Sequence, residues 1–423
     1  MKLRGGGRKK SSKVVRSKIV CTACGCLCDD IEIESENNSI KRIENACLKG
    51  SSFIYASQDE RRRVPYLAEG TAVSLEEALS RAAQLLSEAN SPLIFGLDNS
   101  TLEAQAVGIE LAKGLKCVID DNSSFCQGTL VSSILTGVLP SCSLSEVDDA
   151  DLLLYWGANP HHSHPRHLSK FSFYAHQRYQ PAAPRPQVTL ALIDVRDSDT
   201  ASICYPFFRL LPKEDRDFIT AVIQGIEGSR IREDARRFLQ LLRRSKFCII
   251  FVGLGLTYSL DDDFSLFTEM VAELSKWLRM AVIPMVGHFN MRGFNQSLYQ
   301  ATGQVNKVSF TDGISHGQQF SFLEQVKSRS TDCLLIIGAN PLSNLPYSVV
   351  KDVARIPLIT LDPFYTDTSR ASQIVLGTAI SGLETGGTAV RMDGTRVSLV
   401  REKDSRKLSD EQILERLLEK VAK

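Results

Sequence analysis

No stretch of the chain approaches the run of about 18 uninterrupted apolar residues that a membrane-spanning helix needs, so no such helix is expected. A surplus of charge is missing too. With 50 Lys and Arg against 49 Asp and Glu the net charge is +1, which gives no reason to expect nucleic acid or a membrane surface as partner. The basic opening "MKLRGGGRKKSSKVVRSK" lacks acids, yet no apolar segment follows it as a secretory signal requires. Residues 1–17 therefore read as a disordered basic arm, with a transit peptide as the alternative, and a cytoplasmic location is expected. In that setting an odd number of cysteines, 11, argues for thiols and metal ligands over disulfides.

What the chain does have is length and alternation. At 423 residues it exceeds one ordinary core, and two to three domains are expected. In "SLEEALSRAAQLLSEA", Ser74 and Glu77 have capping-box spacing, and Leu75, Leu79, Ala82, Leu86 and Ala89 repeat at helical period. "SPLIFGL" reads as a buried strand, "LEAQAVGIELAKGL" as a helix and "KCVID" as a strand ending on Asp120 and Asp121. Helices alternating with short apolar strands predict an α/β protein with mostly parallel, doubly wound sheets.

An internal echo sharpens this. "ADLLLYWGANP" at 150–160 matches "TDCLLIIGANP" at 331–341, and each is followed by a strand ending on Asp (Asp194, Asp362) and an Asp-x-x-x-x-Asp-Thr tail. In open parallel sheets ligands bind outside the carboxyl ends of strands, where glycines let backbone amides approach phosphates and a strand-end Asp can bind a ribose or base. Gly157, Asn159, Asp194, Gly338, Asn340 and Asp362 are thus candidate nucleotide contacts. The plain alternative is a tight turn, which Gly, Asn and Pro favour anyway. "GLGLTYS" after "FCIIFV" adds Gly253 and Gly255 on weaker grounds.

Cys21, Cys24 and Cys28 have the spacing C-x2-C-x3-C, and Cys47 follows after a segment that alternates as a hairpin turning at Asn37 and Asn38. Short thiolate spacings closed by one remote cysteine suit an iron-sulfur cluster; a four-cysteine zinc centre is the rival. Cys26 lies between ligands and is expected to face away, and Gly50 permits a close approach. "HHSHPRH" at 161–167 could ligate a metal, but Pro165 and Arg166 suit a loop contacting phosphate.

Together, "CGCLCDDI", "DNSSFCQG", "SEVDDADLLLYWGANPHHSHPRHLSKFS", "IDVRDSDTA", "VGLGLTYS", "PMVGHFNMRGFNQ", "ITLDPFYTDTS" and "GLETGGTAVRMDG" resemble the molybdopterin oxidoreductases related to formate dehydrogenase, and within them the family of formylmethanofuran dehydrogenase B subunits. The motifs run from residue 21 to 394, nearly the whole chain. The resemblance implies a multi-domain molybdopterin-oxidoreductase-like fold: an iron-sulfur β subdomain (18–62), a first α/β domain (63–145 with 342–400), a second (146–341) and a C-terminal helix (401–423). It implies a [4Fe-4S] cluster on Cys21, Cys24, Cys28 and Cys47, and two molybdopterin guanine dinucleotides holding tungsten or molybdenum. His164 and Arg166 fall in the family's pterin-binding segment, and Thr388 and Arg391 in a glycine-rich bend near pterin and cluster. The implied partners are an amidohydrolase-like A subunit, a small pterin-binding D subunit, plus the C subunit.

The family's metal-binding cysteine maps to Cys126. There it is followed by His-Gly-Pro, here by Gln127, Gly128 and Thr129; the family's Met-Arg-Gly-His is here Met285, Val286, Gly287 and His288. A titratable group and a cation beside the metal are thus replaced, with Arg292 close enough in sequence to substitute. The expected activity is CO2, formate and formylmethanofuran interconversion. The alternative is a redox-inactive scaffold, as in the bacterial formyltransferase/hydrolase complex that resembles the same family.

Overall fold

The computed structural model describes residues 14–37, 39–173 and 188–422. Most of the basic arm (1–13) and Asn38 of the expected turn lie outside these residues. Positions 14–17, assigned to the arm, instead belong to the strand Val14–Ile19, which pairs antiparallel with Ile31–Glu36; that strand pairs in turn with Ser39–Glu44. Further along the strand Lys18 lies opposite Glu32, with Nζ 3.6 Å from the carboxylate. Ile19, Ile31, Ile33 and Ile40 are buried, and the hairpin expected between the third and fourth cysteines is present.

A five-stranded parallel sheet runs Phe207–Arg209, Thr189–Asp194, Leu152–Trp156, Phe247–Val252, Arg279–Pro284 in spatial order. The chain starts in the centre, builds outward on one side, then returns to build on the other. Alternate residues face opposite cores. Leu152, Leu154 and Trp156 face the helices Asp215–Ile226, Glu233–Arg243 and Ser265–Ser275, while Leu153 and Tyr155 face the cysteine-bearing segment. The iron-sulfur candidate is therefore packed on one face of this sheet.

The second sheet has nine strands. Its centre is parallel, in the order Val118–Asp120, Pro92–Gly96, Cys333–Ile337, Leu358–Asp362, Ile374–Gly377, with short antiparallel strands at both edges. The strand Cys333–Ile337, placed by its sequence position in a second domain ending at 341, pairs with Pro92–Gly96 and so belongs to the first. An apolar strand pattern says that a strand is buried, not beside which neighbour. The C-terminal helix Asp410–Val421 packs Ile413, Leu414 and Leu417 into the core beside the helices Leu75–Glu88 and Leu102–Gly114. Among the described residues no helix is long and apolar enough to cross a membrane.

Candidate cluster and cofactor site

Each sheet reverses its strand order at one place, and a GANP turn sits at each. Ligands of doubly wound sheets bind in the crevice at such reversals. Leu152–Trp156 leads into Gly157 (φ +57°), and Cys333–Ile337 into Gly338 (φ +58°), both in the left-handed region that favours glycine. The amide of Gly157 donates to Ile193 O at 2.8 Å and that of Gly338 to Leu361 O at 2.9 Å, the same register in both sheets. The two halves of the echo also touch. Thr200 Oγ1 donates to Asn159 Oδ1 at 2.6 Å, and Thr368 Oγ1 to Asn340 Oδ1 at 2.8 Å, so each Asp-Thr tail braces its own GANP turn.

At the first reversal the facing loop carries Gly253 and Gly255. A Cβ on Gly253 would lie 2.2 Å from Gly157 O, and one on Gly157 2.3 Å from Leu256 N, so side chains are sterically barred where the two loops meet.

The reversals open into two cavities. The larger, about 1100 Å³, is lined by Gly157, Asn159, Gly253, Cys126, His164 and His288, and reaches Pro341 and Asn344 across from them. The smaller, about 450 Å³, is lined by Gly338, Asn340 and Asp362, and by Thr22 and Ala23 of the cysteine segment. His288 lines both.

Cys126 follows the turn Asn122–Phe125, with Sγ 3.3 Å from Asn122 O and 3.7 Å from Met291 Sδ. Burial first, then the charges of Asp121 and Asp98, push its thiol well above the ordinary range; only a bound cation would ionise it. A soft metal ion fits such a group. Gln127 is buried, and its Nε2 donates to Val252 O at 2.8 Å. Val286 packs against the cysteine loop, where a Cβ on Gly25 would fall 2.5 Å from Val286 O. His288 Nδ1 stands 2.9 Å from Asp98 Oδ2. Burial lowers the proton affinity of this imidazole, but the charge and hydrogen bond of Asp98 outweigh it, and the net shift is upward.

The cysteine segment folds back on itself. The amide of Cys21 donates to Cys28 O at 2.9 Å, and Cys47 caps the helix Leu48–Ala56. A Cβ on Gly50 would meet Cys21 Sγ at 3.0 Å and Cys47 Sγ at 3.9 Å, so glycine does allow the close approach. Burial pushes Cys21 up to about 12, and Cys24, Cys28 and Cys47 add to the rise. Hydrogen bonding from Cys26 holds Cys24 down at about 5. Cys26 does not face away: it is buried in the same core cluster as Cys21, Cys24 and Cys28.

Around one tetrahedral zinc, thiolates stand about 3.8 Å apart, given a Zn–S bond of about 2.3 Å. Among the described residues, the only three thiol, imidazole or carboxylate ligand atoms mutually within 4.8 Å belong to His161, His162 and Asp199.

Other expected site residues lie elsewhere. Arg292 is buried and turned toward Gly394, 3.9 Å from where a Cβ would stand, and lines neither cavity. Arg391 pairs with Asp393 at 2.7 Å, and Thr388 lies in the hairpin strand Gly387–Val390; this bend touches the cysteine loop through Met392 N and Gly25 O but lines neither cavity. Arg166 binds Asp30 at 2.6 Å, tying the cysteine segment to the five-stranded sheet. Asp194 is half-buried and turned back onto Val195 N, outside both linings. Sequence reasoning missed Asp98, Asn99, Lys49, Arg196 and Asp410. Asp98 had a signal, as a lone acid just past an apolar strand.

Two doubly wound sheets whose crevices meet at His288, with the cysteine segment against the junction, make a molybdopterin-oxidoreductase-like fold. No family model matches the sequence. The chain is 31% identical over 431 residues to the B subunit of tungsten-containing formylmethanofuran dehydrogenase 2 from Methanocaldococcus jannaschii, covering 97% of this chain and 99% of the relative. It is 30% identical over 434 residues to the like-named protein of Methanococcus maripaludis, covering 96% and 99%. Among solved structures it is similar in fold to a chain of the formyltransferase/hydrolase complex from Methylorubrum extorquens in complex with methylofuran (TM-score 0.66, 16% identity, 84% of this chain and 98% of that one). Acetylene hydratase from Pelobacter acetylenicus is similar too (TM-score 0.64, 11% identity, 96% of this chain and 69% of that one). The chain belongs to the family of formylmethanofuran dehydrogenase B subunits, which are oxidoreductase subunits.

Proposed function

We propose that this chain is the redox subunit of a complex that interconverts CO2, formate and formylmethanofuran. The observation that carries the proposal is the meeting of two switch-point cavities at His288, with Cys126 in the larger. In this reading Cys21, Cys24, Cys28 and Cys47 hold a [4Fe-4S] cluster. Two molybdopterin guanine dinucleotides lie along the GANP turns, one against Gly157, Asn159, Gly253 and Gly255, the other against Gly338, Asn340 and Asp362. Tungsten or molybdenum, ligated by Cys126, would supply two-electron exchange with the carbon of CO2 or formate. The chain's own residues bind and orient: the glycines admit phosphates to the backbone, His164 lines the larger cavity within electrostatic reach of Cys24, and His288 holds a proton at the junction.

The complex is completed, in the cytoplasm, by an amidohydrolase-like A subunit, a small pterin-binding D subunit, plus the C subunit. Once purified, it should contain about four irons per cluster and stoichiometric tungsten or molybdenum. Viologen-coupled oxidation of formylmethanofuran should vanish in Cys126→Ser with iron content unchanged.

A second reading is favoured by Gln127 and Val286, which stand where the resembled family has a protic group and a cation. In it the chain is the scaffold of a formyltransferase/hydrolase complex. Iron without tungsten or molybdenum, and no viologen-coupled activity, would establish that reading and sink the first.

A further inference from the structure

His161 and His162 follow the first GANP turn on the helical turn Pro160–Ser163, and Asp199 stands in the tail that braces that turn. His162 Nε2 lies 2.8 Å from Asp199 Oδ2, within hydrogen-bond reach, and His161 Nδ1 lies 3.7 Å from the same oxygen, beyond it. A hydrogen bond therefore accounts for one imidazole, while the other is turned toward a carboxylate that it does not bond. All three ligand atoms stand within 4.8 Å of one another. Around a tetrahedral zinc ion, with bonds of about 2.0–2.1 Å, such atoms stand about 3.3 Å apart. The separations of 2.8 Å and 3.7 Å bracket that spacing, and all three side chains are more than half exposed, free to close the difference. Arg196 acts on Asp199 too, but less than the imidazoles do.

The second half of the echo shows that the turn itself does not need the histidines. In both halves the threonine hydroxyl accepts from the amide that follows the proline, His161 N at 3.4 Å from Thr200 Oγ1 and Leu342 N at 3.2 Å from Thr368 Oγ1. In both it donates onward to the GANP asparagine. Position for position, Leu342 and Ser343 stand where the first half has His161 and His162, and Asp367 where it has Asp199. The aspartate is common to both tails, but Leu342 and Ser343 offer no ligand nitrogen. The imidazole pair is thus an addition to a turn that closes without it, placed where His162 lines the larger cavity.

We propose that His161, His162 and Asp199 bind a zinc ion at the rim of the larger cavity, with water in the fourth position, and that the ion clasps the helical turn Pro160–Ser163 to its Asp-Thr tail. Two imidazole nitrogens and one carboxylate oxygen are a donor set that zinc takes, whereas calcium and magnesium favour oxygen alone. Binding breaks the hydrogen bond between His162 and Asp199. The Nε2 proton passes through water to Nδ1 of the same ring, and Nε2, Oδ2 and His161 Nδ1 each give a lone pair to the ion. No ligand belongs to the cysteine segment or to Cys126, so the site stands under either reading of the redox centre.

Zinc alone is the probe, added to the whole complex, with uptake read by competition against a chromophoric chelator and its location by hydrogen exchange. His161→Leu with His162→Ser copies the second GANP turn, which closes with those residues, so the double variant keeps the fold of the turn. Wild type should take up one zinc per chain more than this variant. Zinc should also slow amide exchange at 159–164 and 196–201 in wild type alone. Asp199→Asn, a change at an exposed side chain, should lose the same equivalent and the same slowing, and it decides alone if the double variant fails to assemble. Equal uptake by wild type and variants, or an extra equivalent that leaves exchange in both segments unchanged, overturns the site.

Discussion

Asp362 ends the strand Leu358–Asp362 inside the smaller cavity, where burial, with Asp410 adding to it, pushes its carboxyl up to about 7. A folded-state value above the unfolded one means that the protonated form stabilises the fold. That contribution is complete below about pH 4 and is lost as the pH rises through about 7. Asp362→Asn has no proton to lose, and its Oδ1 can still accept the 2.8 Å hydrogen bond from Phe364 N. The variant should match wild type in urea melts at about pH 4 and exceed it by about 2–4 kcal/mol above pH 7; equal stability at both would show that the site is wetter than its burial implies. Single residues are also where the sequence was least legible. Met291 reaches the larger cavity while Arg292, one position on, points away, because successive helical residues turn through about 100°. Thr388 and Arg391 were placed by a glycine-rich bend that packs Ala389 with Leu27 and Met392 among the cysteines, while Arg391 itself turns to Asp393.

At the scale of elements the sequence was far more informative. Ser74 does cap the helix Leu75–Glu88, and both GANP turns close the strands they follow. What periodicity could not carry was neighbour identity, so Cys333–Ile337 was assigned to the wrong sheet: its five buried residues look the same beside any partner. The echo itself held a contact that spacing alone did not reveal, the hydrogen bond from each Asp-Thr tail to its GANP asparagine. Thr368→Val keeps the side-chain shape and removes the donor to Asn340 Oδ1, leaving a half-buried acceptor with only the Thr368 amide at 3.1 Å, and takes from Leu342 N its acceptor at 3.2 Å. It should cost about 1–2 kcal/mol in urea denaturation. Thr200→Val removes the hydroxyl that donates to Asn159 Oδ1 and should cost at least as much; no loss in either would show that the tails do not brace the turns.

For the whole molecule, the question is how three units cooperate around one junction. The cysteine segment is held to the five-stranded sheet by Arg166 and Asp30 at 2.6 Å and by Lys170 and Asp29 at 2.6 Å. These pairs are partly exposed, so Arg166→Leu should cost only about 1 kcal/mol overall. It should nevertheless speed iron release to a chelator, since it loosens the face that covers the cysteines; an unchanged rate would mean that the buried isoleucines alone hold the unit in place. The last test joins both sheets. Val286 sits between the cysteine loop and the larger cavity, and Gln127 between Cys126 and Val252, so the two positions where the chain departs from the resembled pattern flank the same space. Val286→Arg has about 1100 Å³ into which to extend its guanidinium, and Gln127→His can keep the bond to Val252 O through a ring N–H. If the architecture is that of a working dehydrogenase whose polar pair has been replaced, the double variant should raise viologen-coupled turnover about tenfold or more at constant iron, because a cation and a protic group return to where charge develops. If the chain has become a scaffold, cofactor retention has gone too, and restoring two side chains to an empty junction leaves turnover at zero.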